Sequence, residues 1–273
     1  MNHCNANHIR MNPQIFQHPA DRAIAEKILG MQAFQKALQF ISKNSIEKQM
    51  GCVYRSSMAQ VTPQTSPIIF QMLQKAAKMY EAPVIPDVFL VRTYPMMMTM
   101  IGIEKPMILV STEHLENLSE KMLWGVLASE VSGIKNGFCE IKLVEWLCNS
   151  SIGILPDVIA HPLTVVFNNW HKYAQYSFDR ATLIATGDFN IAMQTILTGE
   201  APQEVLETIE FGNPNCEYMK QCREFLENDD KAVKTVRDSK ALFSNQSFYA
   251  SRYLELFQFY QTQYYDLIED FLD

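Results

Sequence analysis

Apolar residues recur at helical spacing over most of the chain and form short β-type runs in one stretch only. In residues 119–137, Met122, Leu123, Val126, Leu127 and Ile134 fall on one face of a helix. Ser119 predicts its N-cap and Gly137 its C-terminal stop. Glu130 stands among these apolar positions, where a carboxylate is costly to bury unless something pairs with it. Upstream, Ala23, Ile24, Ile28 and Leu29 form one stripe; after Gly30, Phe34, Ala37, Leu38 and Ile41 form another, which predicts helix over 18–48. Residues 49–65 are mixed, contain Pro63 and predict an extended connection. Ser66 and Pro67 open a helix that runs to about residue 80. Three β runs follow at 88–92, 99–103 and 107–111, with a turn at 102–106. A short helical turn over 112–118 carries His114, read as a surface residue, into the 119–137 helix. Helical patterns return at 168–184, 192–198, 202–211, 217–226 and 231–240, and an aromatic, acidic amphipathic helix closes the chain. The fold class is α+β, mostly α, with a small sheet packed beside the 119–137 helix. Residues 1–17 read as a flexible arm and 18–273 as one domain.

Composition narrows the function classes. Apolar residues make up 48% and charged residues 19% of 273, the balance of a soluble globular protein. The net charge of −7 disfavours a nucleic-acid-binding surface. The most apolar stretch, 141–167, is interrupted by Glu145, Asn149, Pro156, Asp157, His161 and Pro162, so it reads as a pair of buried helices and not as an integral membrane segment. Six cysteines without a CxxC pair, and a polar N-terminus without a signal-peptide core, read as reduced thiols in a cytoplasmic setting.

Four ordered segments resemble one family. Residues 126–137 read Val-Leu-Ala-Ser-Glu-Val-Ser-Gly-Ile-Lys-Asn-Gly, which is similar to the zinc helix of M48-type metallopeptidases, the group of HtpX-like and CAAX prenyl proteases. In that helix two histidines at i and i+4 hold zinc and a glutamate after the first is the general base. Here the histidine positions carry Ser129 and Gly133, and the base position keeps Glu130. A second segment, Trp170 to Asp188, resembles the stretch that supplies the third ligand; Gln175 stands at the ligand position, and Asp179 and Arg180 are kept behind it. Upstream, Pro95, Thr99 and Gly102 resemble the family's substrate-strand segment, with Met96, Met97 and Met98 in place of its usual residues. Downstream, residues 246–256 resemble the segment that faces the substrate carbonyl: its His is Gln246, and Arg252 is kept.

The resemblance implies a zincin-like (gluzincin) fold. It also implies that an edge strand, Met96 to Met100 with Thr99 among them, lines a peptide groove. The residue types themselves read this Met-rich strand as core filler. Zinc hydrolysis needs three ligands and a metal-bound water, and Ser129, Gly133 and Gln175 are not ligand types zinc favours. No cofactor is therefore expected. The first reading is a catalytically inactive pseudopeptidase that binds a peptide or protein partner, with Glu130 and Arg252 as remnants of its chemistry. The alternatives are a hydrolase with a relocated metal site (His171, Asp179, Glu130) or serine chemistry at Ser129, and a purely structural protein whose cleft is filled by Phe138 and Phe178.

Overall fold

The computed structural model describes residues 10–92, 98–116, 118–149, 154–228, 230–232, 234–235 and 248–270. The chain is mostly helical with a small mixed sheet. A 3₁₀ turn at Pro13–Ile15 is followed by three helices: α1 (Pro19–Gly30), α2 (Gln32–Lys43) and α3 (Ile46–Ser57). The third corrects the extended connection expected over 49–65. Ile46, Met50 and Tyr54 recur every four residues and bury one helical face, a stripe that outweighs the polar residues between them. The loose arm expected over 1–17 is likewise corrected where residues are described. Met11 and Phe16 are buried, and the Met11 amide donates to the Met79 carbonyl at 2.7 Å.

Strand β1 (Ala59–Gln60) and helix α4 (Pro67–Met79) precede β2 (Asp87–Val91), β3 (Met98–Ile101) and β4 (Met107–Ser111). The sheet order is β1-β2-β4-β3. β2 and β4 are parallel, with Phe89 opposite Leu109, while β3 runs antiparallel to β4 at the sheet edge. Alternate strand residues enter two cores. Val88, Ile108 and Val110 pack towards the core of α4 and α6, and Phe89, Leu109 and Met107 towards the core of α2, α3 and α7. Burial on both faces explains why β4 is a continuous apolar run.

After a short α5 (Thr112–Leu115), α6 (Glu120–Ser132) is capped by the Ser119 hydroxyl, which accepts from the Met122 amide at 3.3 Å. It ends a turn before the expected stop. Gly133 closes it, and Gly137, with φ of 72°, opens α7 (Phe138–Cys148) instead of ending α6. α8 (Asp157–Thr186) runs through Pro162 without a break, so the second half of 141–167 and the predicted 168–184 helix are one element. Pro162 lies in the second turn, so it forgoes the amide bond to the Val158 carbonyl, and the helix continues through it. α9 (Phe189–Leu197), α10 (Gln203–Leu206), α11 (Glu217–Glu227), α12 (Tyr249–Phe259), a π-helical turn (Tyr260–Tyr264) and α13 (Tyr265–Glu269) complete the described elements. The 202–211 helix is thus reduced to one turn, and most of 231–240 lies outside the described residues. Among the described residues no helix is long and apolar enough to cross a membrane.

α6 and α8 form the centre of the molecule. A side chain at Gly125 would meet the Thr186 and Thr182 methyl groups at 2.9 and 3.0 Å, so glycine is what lets the two backbones approach. The Trp124 indole nitrogen donates to the Ala185 carbonyl at 2.7 Å and fixes their register.

Candidate functional site

One face of this α6–α8 pair opens into a cleft of about 450 Å³. α6 contributes Val126, Ser129 and Glu130, and α7 contributes Lys142. From α8 come His171, Ala174, Gln175, Phe178, Asp179 and Thr182, a stripe at helical spacing flanked by the buried Trp170 and Ala181. Arg252 and Tyr249 enter from α12, and residues 198–200 form a rim. The volume suits a small ligand or a short stretch of peptide.

Three acid–base pairs cross the cleft and join four helices. Glu130 receives Lys142 Nζ on both oxygens, at 3.2 Å (Oε1) and 2.8 Å (Oε2), and the ammonium lies 4.3 Å from the centre of the Phe178 ring. Glu145 of α7 bonds His171 Nε2 of α8. Asp179 accepts two bonds from Arg252, Nε at 2.9 Å and Nη2 at 2.5 Å. Burial pushes the Asp179 carboxyl above its ordinary value and Arg252 pulls it back. Burial alone would lower the Arg252 guanidinium, but the Asp179 charge more than offsets this and holds it above its ordinary value. At the rim the Tyr249 hydroxyl donates to Glu200 at 2.8 Å; burial, then that carboxylate, pushes the phenol up to about 12.

The sequence-predicted residues divide. Ser129, Glu130, Gln175, Asp179, Arg252 and Met98 share the cleft. Gly133 lies one turn beyond it, and a side chain there would meet Phe138 Cβ and Cδ2, both at 3.1 Å. Arg180 points to the other face of α8, donating to the Phe16 carbonyl at 3.1 Å with its guanidinium 4.6 Å over the Phe259 ring. Thr99 and Met100 are buried and do not line the cleft. Met96, Met97 and Gln246 lie outside the described residues. His114, read as a surface residue, is half-buried at one end of the cleft with Nδ1 2.9 Å from the Ser111 hydroxyl. Asp179 thus ties α8 to α12 through Arg252, and not to the central α6.

The relocated metal set does not assemble. Glu130, His171 and Asp179 each bond a different partner, and no group of three or more His, Cys, Asp or Glu able to hold a metal occurs among the described residues. The Ser129 hydroxyl donates to the Val126 carbonyl at 2.9 Å, not to His171. Lys142 and Glu145 were missed by sequence reasoning, though both interrupt the apolar run of α7. Charges at i and i+3 within such a run signal one buried polar face. No protein-family model matches the chain, and no curated protein or solved structure matches it.

Proposed function

We propose that this chain is a zinc-free pseudopeptidase of M48-like descent and zincin-like architecture, which holds an extended peptide or protein segment in the α6–α8 cleft without cutting it. The observation that carries the reading is the Lys142 ammonium seated on both oxygens of Glu130. A carboxylate held in that way is a poor base for a water molecule. The donor set does not fit zinc either: a hydroxyl already given to a backbone carbonyl, a glycine and an amide stand at the three ligand positions. The cleft nevertheless stays open, with Phe138 packed behind Gly133 and Phe178 forming a wall, which favours binding over the filled-in structural reading.

Elemental mass spectrometry of tag-free protein tests the first half of this reading. Less than about a tenth of an equivalent of any transition metal is expected, the level of preparation background. Near one equivalent, lost in Glu130→Gln or Asp179→Asn, overturns it. Fluorescence anisotropy against a panel of labelled, extended peptides tests the second half. Binding lost in a folded Ser129→Trp variant, which blocks the cleft, is expected; binding indifferent to that block refutes the assigned site.

One observation favours a second reading, a hydrolase with non-zinc chemistry. His171 faces the cleft with its Nε2 on the Glu145 carboxylate, which is how a general base is oriented. Turnover of ester or peptide substrates that disappears in His171→Gln would decide for it.

A further inference from the structure

Away from the cleft, on the other face of α8, a second buried polar cluster joins α1 to α8. Asp21 is fully buried. Its Oδ2 accepts from Gln17 Nε2 at 3.0 Å and from the Ser177 hydroxyl at 2.5 Å. The same hydroxyl accepts from the His18 amide at 3.0 Å. Three buried atoms here have no well-formed hydrogen bond: Asp21 Oδ1, Trp170 Nε1 and Arg180 Nε. The Trp170 indole acts on the Asp21 carboxyl as a weak donor, but its geometry falls short of a proper bond. The charged groups that face Asp21 are His18 beside it and Arg180 from α8; Glu255 of α12 lies 3.4 Å from His18 Nε2 and also acts on Arg180. A fully buried carboxylate with one oxygen short of a well-formed bond carries a desolvation cost that protonation relieves.

We propose that Asp21 is a proton-operated latch: its neutral acid holds residues 10–30 against α8, and its ionisation loosens them. Burial pushes this carboxyl up from 3.8 to about 6, against the pull of Ser177 and Gln17. A folded value above the unfolded one means that the latch is fully set below about pH 4 and weakens as pH rises through about 6. The separation corresponds to roughly 100-fold in the docking equilibrium. Among the described residues the other polar ties of the segment are the Met11 amide to Met79, the Phe16 carbonyl to Arg180 and His18 to Glu255.

Hydrogen exchange followed by mass spectrometry at pH 5 and pH 8, corrected for intrinsic chemistry, tests this. Peptides from residues 10–30 should lose about tenfold protection between pH 5 and pH 8, the part of the full effect that lies above pH 5, with β4 peptides unchanged. In Asp21→Asn, which leaves His18 in place, the two pH values should give equal protection. A wild-type loss under about threefold, or an equal loss in Asp21→Asn, overturns the latch. Should that variant fail to fold, Ser177→Ala is the second arm. It removes a bond that favours the ionised form, so the midpoint of loosening must move to higher pH, and an unmoved midpoint also overturns the proposal.

Discussion

Replacing Lys142 with methionine isolates the charge pair at the heart of the cleft. The two side chains are 6% and 10% exposed, so neither ion is well hydrated. At the observed 2.8–3.2 Å separation the attraction is about 5–6 kcal/mol for an effective dielectric of 20. The Phe178 ring under the ammonium adds up to about 2 kcal/mol. Desolvation of the two ions consumes most of this, so the pair as a whole is near neutral relative to apolar residues of the same size. Removing one partner is different. Lys142→Met leaves the Glu130 carboxylate buried and alone, at a cost of about 3–5 kcal/mol. Glu130→Leu falls at the lower end, because the freed ammonium keeps the ring and reaches the open cleft. The double variant Glu130→Leu with Lys142→Met should lie within about 1.5 kcal/mol of the parent, so that the coupling is about 3 kcal/mol or more. Urea unfolding at pH 7, followed by circular dichroism with m-values compared across the four proteins, measures all the terms. If the single losses simply add in the double variant, the pair is not the closed unit described here, and the argument that Glu130 is unavailable as a base fails with it.

Other expectations follow from the same geometry. Arg252→Met should cost about 3–5 kcal/mol at neutral pH by stranding Asp179; with the carboxyl then raised further, the deficit relative to the parent should shrink as pH falls, and a pH-independent deficit in thermal melts counts against this. The Glu47 carboxylate accepts from the amides of Ile103, Glu104 and Lys105 at 2.7, 3.1 and 3.0 Å, so Glu47→Gln should lose about 1.5–3 kcal/mol in denaturant titrations; a loss under about 0.5 kcal/mol would remove it as the anchor of the β3–β4 turn. Placing histidines at these positions with Ser129→His and Gly133→His should not create a zinc site, because Phe138 crowds the space a side chain at 133 needs. The double variant should lose about 1–3 kcal/mol through overpacking and show no zinc-dependent rise in melting temperature; such a rise would refute the steric argument.

Much of the architecture was readable because it follows from periodicity. The stripes of α1, α2, α4 and α6 and the three main strands lie close to where apolar spacing puts them. α3 was lost because its apolar residues come only every fourth position among polar ones, and Pro63 drew attention to a loop that starts later. The stop of α6 was misplaced because Gly133 and Gly137 both suit a helix end; Gly137, with φ of 72°, serves as the N-cap of α7 instead. Ser129, Glu130, Gln175, Asp179 and Arg252 were found through resemblance, and they do converge on one cleft. Their bonding was not legible. Glu130 looked like a free base until Lys142 appeared twelve residues on, and nothing in the sequence tied Asp179 to Arg252, 73 residues on. A linear pattern marks a buried charge without naming its partner, because partners are chosen by helix packing.

The Asp179–Arg252 pair also bears on the order in which the molecule is assembled. The carboxylate is synthesised 73 residues ahead of its guanidinium. A nascent chain that has already wound α8 must therefore carry an uncompensated acid on it while α9, α10 and α11 emerge. Until α12 arrives, that side of the cleft is better left wet than closed. Vectorial synthesis thus lets this side of the cleft close only after α12 has been made.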